Sequence, residues 1–350
     1  ELTRSGRETE TISGESPPLY VNEVDHVAEC INDGLRQSPL MSWSASLTNA
    51  RVLDDWRAAV DLKYPTESAS THRGPLATTL RTDTPPARAG RIPHLDKPVS
   101  RLIMGCDNQP GMSHAAVMWD HFMSLGGNCF DTAYVYGGGR METLLGHWHT
   151  ARNIRKDIVI IGKGAHTPDD HPAAVSPQLD ESLTRLQTEH VDVYFLHRDN
   201  LDVPVGEFVD AVNDEIDRGR ITAWGGSNWT LPRVQAATEY AARAGKQGMS
   251  AVSNNFSLAH MISPLWPGVE TATGQAFRDY LTETGISLMP WSSQARGFFT
   301  PWAEAVMQET ARDNPAITGA EPTAAELVRT WFSDDNFERR RRAVTLAESR

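Results

Sequence analysis

The stretch DIVIIGKGAHTPDDHPAAVSPQLDESLTRLQTEHVDVYFLH, residues 157–197, holds the fold in miniature. Ile158–Ile161 and Val191–Leu196 are short, almost continuously apolar runs, the pattern of strands buried on both faces. Between them Leu179, Leu183 and Leu186 recur at helical spacing. That spacing predicts an amphipathic helix, with Ser176 as its N-cap and Pro177 at its first position. Strand, helix and strand in this order make one parallel unit with a helix lying across it.

The alternation continues on both sides. SRLIMG (100–105), GNCFDT (127–132), ITAWGGSN (221–228), SAVSNN (250–255) and GISLMPWSS (285–293) are further short runs separated by helical patterns. Seven such units over about 250 residues predict an α/β chain of the TIM-barrel type, (β/α)8. A doubly wound dinucleotide sheet fits less well, because no G-x-G-x-x-G occurs.

Three zones are expected. Residues 1–66 hold two helical patterns. Val24, Val27, Ala28, Ile31 and Leu35 mark the first, which Gly34 closes. Leu53, Trp56 and Val60 mark the second, with Ser44 or Ser46 as its cap. Two helices cannot close a core alone, so this zone calls for a partner. Residues 67–96 read as a linker, rich in Ser, Thr, Pro, Gly and Arg. The barrel occupies 97–350.

With 39% hydrophobic and 22% charged residues, the 350-residue chain can bury a sizeable core. No apolar run approaches the roughly 20 residues that span a bilayer, so no membrane partner is expected. A formal charge of -12 argues against nucleic acid, and the basic run Arg339–Arg342 reads as a solvated helix face. Cys30, Cys106 and Cys129 form no CxxC and read as reduced thiols; with no secretory leader visible, a cytoplasmic setting is expected. No metal is expected: His147 and His149 lie two apart, with no HExxH. Nothing in the sequence reads on oligomeric state.

Chemistry in such barrels sits where strands end. Read in order, the strand ends carry Asp131, Lys163, His197, Ser227 with Asn228, Ser253 with Asn254, and Trp291 with Ser292. Taken singly, each has an ordinary reading as a cap, an exit lysine or a core histidine. Together with Tyr136 they complete a proton donor. An adjacent ammonium is expected to lower the phenol's pKa, a carboxylate to keep the lysine charged, and a neutral imidazole to orient a carbonyl. The glycines of YGGGR (136–140) lack the Lys-Ser/Thr of a P-loop and read as turn residues beside Tyr136.

FDTAYVYGGGRMETLLG (130–146), LTRLQTEHVDVYFLHRD (183–199) and GRITAWGGSNWT (219–230) resemble signatures of the aldo-keto reductase family. The resemblance implies an NAD(P)H-dependent oxidoreductase acting on a small carbonyl, with Asp131, Tyr136, Lys163 and His197 as the catalytic tetrad and Tyr136 delivering the proton. It implies that Ser227 and Asn228 bind the nicotinamide carboxamide, with Asn254 reaching the ring from the next strand, where the family usually has glutamine. The register there is open by one residue between Ser253 and Asn254. Trp291 stands where the family usually stacks a tyrosine, and Ser292, Gln294 and Gly297 lie in the loop along the pyrophosphate. NADP(H) is expected rather than NAD(H). The family continues past residue 350 with a last βα unit, so the barrel is expected to lack that unit, to have open edges on its first and seventh strands, and to bind cofactor weakly or aggregate.

LYVNEVDHVAECINDGLRQSPLMSWSASLTNARVLDDWRAAVDLKYPTES (19–68) is similar to the C-terminal tail of the glucose-fructose oxidoreductase/inositol dehydrogenase (Gfo/Idh/MocA) family. That similarity implies a fragment of a fusion protein and a sugar-like substrate. Two rival readings stand beside the reductase: a non-catalytic nucleotide-binding regulatory protein on the same barrel, and an aldolase using Lys163 as a Schiff-base nucleophile.

Overall fold

The computed structural model describes residues 20–60, 62, 88–301, 303 and 324–349. The chain divides into two units, Glu1–Pro65 and Thr66–Arg350. Residues 67–87 of the expected linker lie outside the described residues.

The first unit holds helices α1 (Val21–Asn32) and α2 (Trp43–Ala59). The α1 chain turns at Gly34, whose φ of 68° suits a residue without a Cβ, and the Leu35 N–H returns to the Cys30 carbonyl at 2.9 Å. The cap of α2 is Ser42, not Ser44 or Ser46: its hydroxyl accepts from the Ala45 N–H at 3.1 Å, and both later serines lie inside the helix. Cys30 is the one buried residue of α1, and α2 has none among the described residues. Val24, Val27 and Ile31 on α1, and Leu47, Leu53 and Trp56 on α2, stay exposed.

Among the described residues the first strands of the second unit form an antiparallel hairpin, β1 (Ala89–Gly90) and β2 (Val99–Ser100), placed partly where a linker was expected. A parallel sheet of seven strands follows in chain order: β3 (Met104–Gly105), β4 (Cys129–Asp131), β5 (Val159–Gly164), β6 (Val191–Leu196), β7 (Ile221–Ser227), β8 (Ala251–Ser253) and β9 (Ser287–Leu288). Helices α3 (Met112–Ser124), α4 (Arg140–Arg152), α5 (Val175–Leu186), α6 (Val205–Asp217), α7 (Leu231–Ala244) and α8 (Gln275–Thr284) lie between successive strands. After β9 come α9 (Ala324–Trp331) and α10 (Asp334–Glu348), so among the described residues β3 and β9 are the sheet's edges. On α10 the basic run is largely paired along the helix: Arg339 with Asp335 at 2.7 Å and Arg341 with Glu338 at 2.7 Å.

Helix α5 starts earlier than its sequence suggests. A 3₁₀ turn, Pro172–Ala174, leads directly into it and Ala174 takes the cap position, so Ser176 and Pro177 sit within the first turn. Leu179 and Leu186 are buried and Leu183 packs against the same core, as the spacing predicted.

Strand periodicity builds two cores. Side chains alternate across a strand, so every second residue points the same way. Cys129, Val159, Ile161, Val193, Phe195, Ala223, Ala251 and Met289 form one cluster, sealed by Ile92, Leu95 and Val99 from the hairpin. The intervening Phe130, Ile160, Tyr194, Leu196, Trp224 and Val252 pack outward against the helices. There Asp120 of α3 accepts from Trp148 Nε1 (2.9 Å) and takes Arg152 of α4 at 2.6 and 2.7 Å, a buried bidentate pair.

Candidate active site

The alternation that builds the inner core also places the chemistry. Asp131 shares the phase of Cys129, Lys163 that of Val159 and Ile161, and His197 that of Val193 and Phe195. Register then lines them up: Asp131 lies beside Ile161, and Lys163 beside Phe195. All three therefore meet at the carboxyl ends of β4, β5 and β6.

Tyr136 reaches the same point by a turn. Residues 136–139 form a 3₁₀ turn in which Gly137, Gly138 and Gly139 all have left-handed φ, at 56°, 62° and 90°. Side chains rarely tolerate three such residues in succession, which accounts for the glycines. At Gly139 a Cβ would also strike the Arg185 guanidinium.

The Lys163 ammonium spends its hydrogens on Asp131 Oδ2 at 2.6 Å, the Thr132 carbonyl at 3.0 Å and Tyr136 Oη at 3.3 Å. Burial works against its charge, but Asp131 and Tyr136 together outweigh that and hold Lys163 above the usual lysine range. Burial likewise raises the Asp131 carboxyl, with Lys163 pulling it back. His197 packs edge-on to Tyr136 with ring centroids 5.7 Å apart. Burial first, then the nearby Lys163, keep its imidazole well below the usual histidine range, so it is neutral as expected. Its Nδ1 is buried with no hydrogen-bond partner among the described residues.

Tyr136 corrects one expectation. Its phenol is raised, not lowered, because burial outweighs the downward pull of Lys163. In this state the site holds a protonated phenol with an ammonium beside it.

Around the mouth, Ser227 Oγ donates to the Ser253 carbonyl at 3.1 Å and accepts from Asn228 Nδ2 at 3.1 Å. Asn228 has a left-handed φ of 60°, and its Oδ1 accepts from Trp291 Nε1 at 3.2 Å. The tryptophan is thus tethered by its edge. Trp291 lies just past the end of β9, at the same end of its strand as the other strand-end residues.

Asn254 is not brought to this mouth. It is out of phase with Ala251 and Ser253, is fully buried, and spends its amide on the Trp229 backbone, accepting at 3.2 Å and donating at 2.8 Å. The strand-end residue paired with Ser227 is Ser253, the other choice of register.

Ser292, Ala295, Arg296 and Gly297 have left-handed φ of 51°, 51°, 48° and 93°, and Gln294 is exposed among them. Successive N–H groups in such a run form concavities suited to anions. The tethered indole and this loop fit a nicotinamide dinucleotide.

Several neighbours were not singled out in the sequence. His166 stacks edge-on to His197 at 4.8 Å, Trp266 lies 6.1 Å from Trp291, and the Arg296 guanidinium lies over Trp266 at 5.0 Å. The one signal for Trp266 was a large apolar residue inside a proline-rich loop, SPLWPGVE. His147 and His149, weighed as metal ligands, are spent elsewhere: His147 Nδ1 meets Gln187 at 3.0 Å, and His149 Nε2 meets the Leu186 carbonyl at 2.7 Å. No described helix is long and apolar enough to cross a membrane.

Residues 103–346 match the profile described as "Aldo/keto reductase family". A candidate aryl-alcohol dehydrogenase of Saccharomyces cerevisiae is 25% identical over 69% of this chain and 70% of its own length. A candidate voltage-gated potassium channel β subunit of Oryza sativa subsp. japonica is 29% identical, over 58% of this chain and 62% of its own. An aldo-keto reductase of Aspergillus calidoustus is 29% identical over 41% of this chain and 40% of its own. The chain thus covers under two thirds of the latter two relatives.

Proposed function

This chain belongs to the aldo/keto reductase family, and on that footing we propose that it is an oxidoreductase moving a hydride between NADP(H) and a small carbonyl or alcohol, with Tyr136 as the proton donor. When bound, the dinucleotide supplies the hydride. The protein's part is proton delivery and orientation. A carbonyl oxygen gaining charge takes the proton from Tyr136 Oη, and the phenolate left behind faces the Lys163 ammonium at 3.3 Å. That attraction grows only as the proton leaves, so it favours the transition state over the ground state. Asp131 keeps the ammonium charged and aimed. Neutral His197 donates to or orients the same oxygen. Ser227, Asn228, Trp291 and the loop holding Ser292, Gln294 and Gly297 are the proposed cofactor residues, with Ser253 in the place first assigned to Asn254.

The observation that carries this reading is the Asp131–Lys163–Tyr136 chain of hydrogen bonds. It also argues against a Schiff-base aldolase, which needs a neutral lysine, whereas Lys163 is held charged. A regulatory, non-catalytic reading draws on the Oryza relative's name. It gives no use for a carboxylate aimed at the lysine beside a phenol.

The sugar-like substrate follows from the resemblance of the first unit to a Gfo/Idh/MocA tail, which we keep as part of the proposal along with the fusion. The Saccharomyces relative's name adds aromatic aldehydes to the panel. The test is NADPH and NADH consumption by the purified protein against aldoses, inosose-type ketones, aliphatic aldehydes and aryl aldehydes, with cofactor binding followed by tryptophan quenching. Carbonyl-dependent consumption, faster with NADPH, is expected. Cofactor binding with no turnover across the panel would favour the regulatory reading, and no binding of either dinucleotide would refute both.

A further inference from the structure

A cleft of about 480 Å³ is lined by Lys97, Asn153, Arg155, Lys156 and His190. Its place follows from the chain: Arg155 and Lys156 lie just before β5 and His190 just before β6, whereas Lys163 and His197 lie at the other ends of these strands. Lys163 lies five positions beyond Ile158, which at about 3.3 Å per residue puts the cleft roughly 16 Å from the proposed chemistry.

Three full cations and an imidazole line the cleft and no carboxylate does, on a chain whose formal charge is -12. One acid lies beneath. Asp192 is buried and binds Lys97 Nζ at 2.9 Å and Arg155 Nη1 at 2.9 Å, while also accepting the Ile160 N–H at 2.9 Å. One carboxylate under three cations leaves the cleft net positive. Glu189, next to His190, is exposed and does not line it. The arginine is also held in place, donating to Thr188 Oγ1 at 2.8 Å and to the His190 carbonyl at 2.8 Å. A guanidinium fixed before a ligand arrives loses little freedom on binding it. Lys156 is exposed and has no hydrogen bond or ion pair among the described residues. The lining side chains all end in polar or charged groups, and a multiply charged oxyanion is the group these donors suit.

We propose that this cleft is a phosphate-binding site, separate from the catalytic mouth, sized for the phosphate of a small phosphorylated metabolite. It does not depend on the oxidoreductase reading. Calorimetric titration of the purified protein with inorganic phosphate and, separately, with glycerol phosphate, against chloride at matched ionic strength, tests it. The expected result is saturable one-site binding by wild type, about tenfold weaker in Lys156→Glu, intermediate in Lys156→Ala and kept in Lys156→Arg. Tighter glycerol phosphate marks an organic phosphate as the ligand, and equal affinities mark free phosphate. Absence of saturable binding, or binding that Lys156→Glu and Lys156→Ala leave unchanged, would overturn the proposal.

Discussion

Lys163 Nζ stands 3.3 Å from Tyr136 Oη and is also held by Asp131 Oδ2 at 2.6 Å. The ammonium is shared between the carboxylate and the phenol, and its pull on a developing phenolate is exerted from that position. Lys163→Met removes that pull. Reduction by the variant is expected to slow by about a hundredfold or more, with cofactor affinity little changed. Steady-state rates beside dinucleotide titrations check this, and a variant as fast as wild type would remove the lysine from the mechanism.

The pH dependence follows from the same pair. Burial raises the Tyr136 phenol above its usual value while Lys163 opposes, so the proton is present throughout the neutral range. Reduction, which uses the protonated phenol, is expected to be flat through neutrality and to fall only above about pH 10. Oxidation of the alcohol, which uses the phenolate, is expected to rise with pH over that same range. His197 is neutral well below its usual range and contributes no step near pH 6.5. Rate profiles in both directions decide it; a reduction profile that falls through pH 6–8 contradicts the assignment.

Arg152–Asp120 is one of the second unit's buried ion pairs. Arg152 and Asp120 have side chains 1% and 10% exposed, so Arg152→Met strands a carboxylate in the core. The expected loss is about 3–5 kcal/mol. Arg342→Ala, which removes an exposed contact to Glu338 at 3.5 Å, is expected to cost less than about 1 kcal/mol. Urea unfolding of the two variants side by side makes the comparison, and equal losses would mean the buried pair is not stabilising.

His149 makes the fold acid-sensitive. Burial is the main cause holding it down to about 4, with Arg155 adding to this and the Leu186 carbonyl opposing. The unfolded chain takes up a proton below about pH 6.5 while the folded one does not, so stability is complete above that pH. It falls as pH drops toward 4, by roughly 3 kcal/mol in all. His149→Gln keeps a donor for the Leu186 carbonyl but cannot titrate. Its unfolding free energy is expected to fall less between pH 7 and pH 5 than that of wild type; identical slopes would assign the acid sensitivity to other groups.

Much of this was legible because strands β5, β6 and β7 are continuous apolar runs ending in polar residues, so period-two counting from Val159 and Val193 already points Lys163 and His197 inward. The same counting separates Ser253 from Asn254, but only once a buried neighbour such as Ala251 anchors the phase, and a three-residue strand offers little to count. The direction of the Tyr136 shift was out of reach for another reason: it weighs burial against one ammonium, and burial is set by side chains from distant segments. His166, Trp266 and Arg296 sit on loops, where no periodicity reports which residues will meet. The cap of α2 was misplaced because Ser42, Ser44 and Ser46 are equivalent by type, and only backbone geometry selects one.

The central claim is that Tyr136 gives up the proton, and Tyr136→Phe tests it most directly because it removes one oxygen and leaves the ring beside His197. The measurement is carbonyl-dependent NADPH oxidation by this variant together with its NADPH affinity. The expected result is a loss of about a thousandfold in turnover with affinity unchanged. Turnover equal to wild type would contradict the claim.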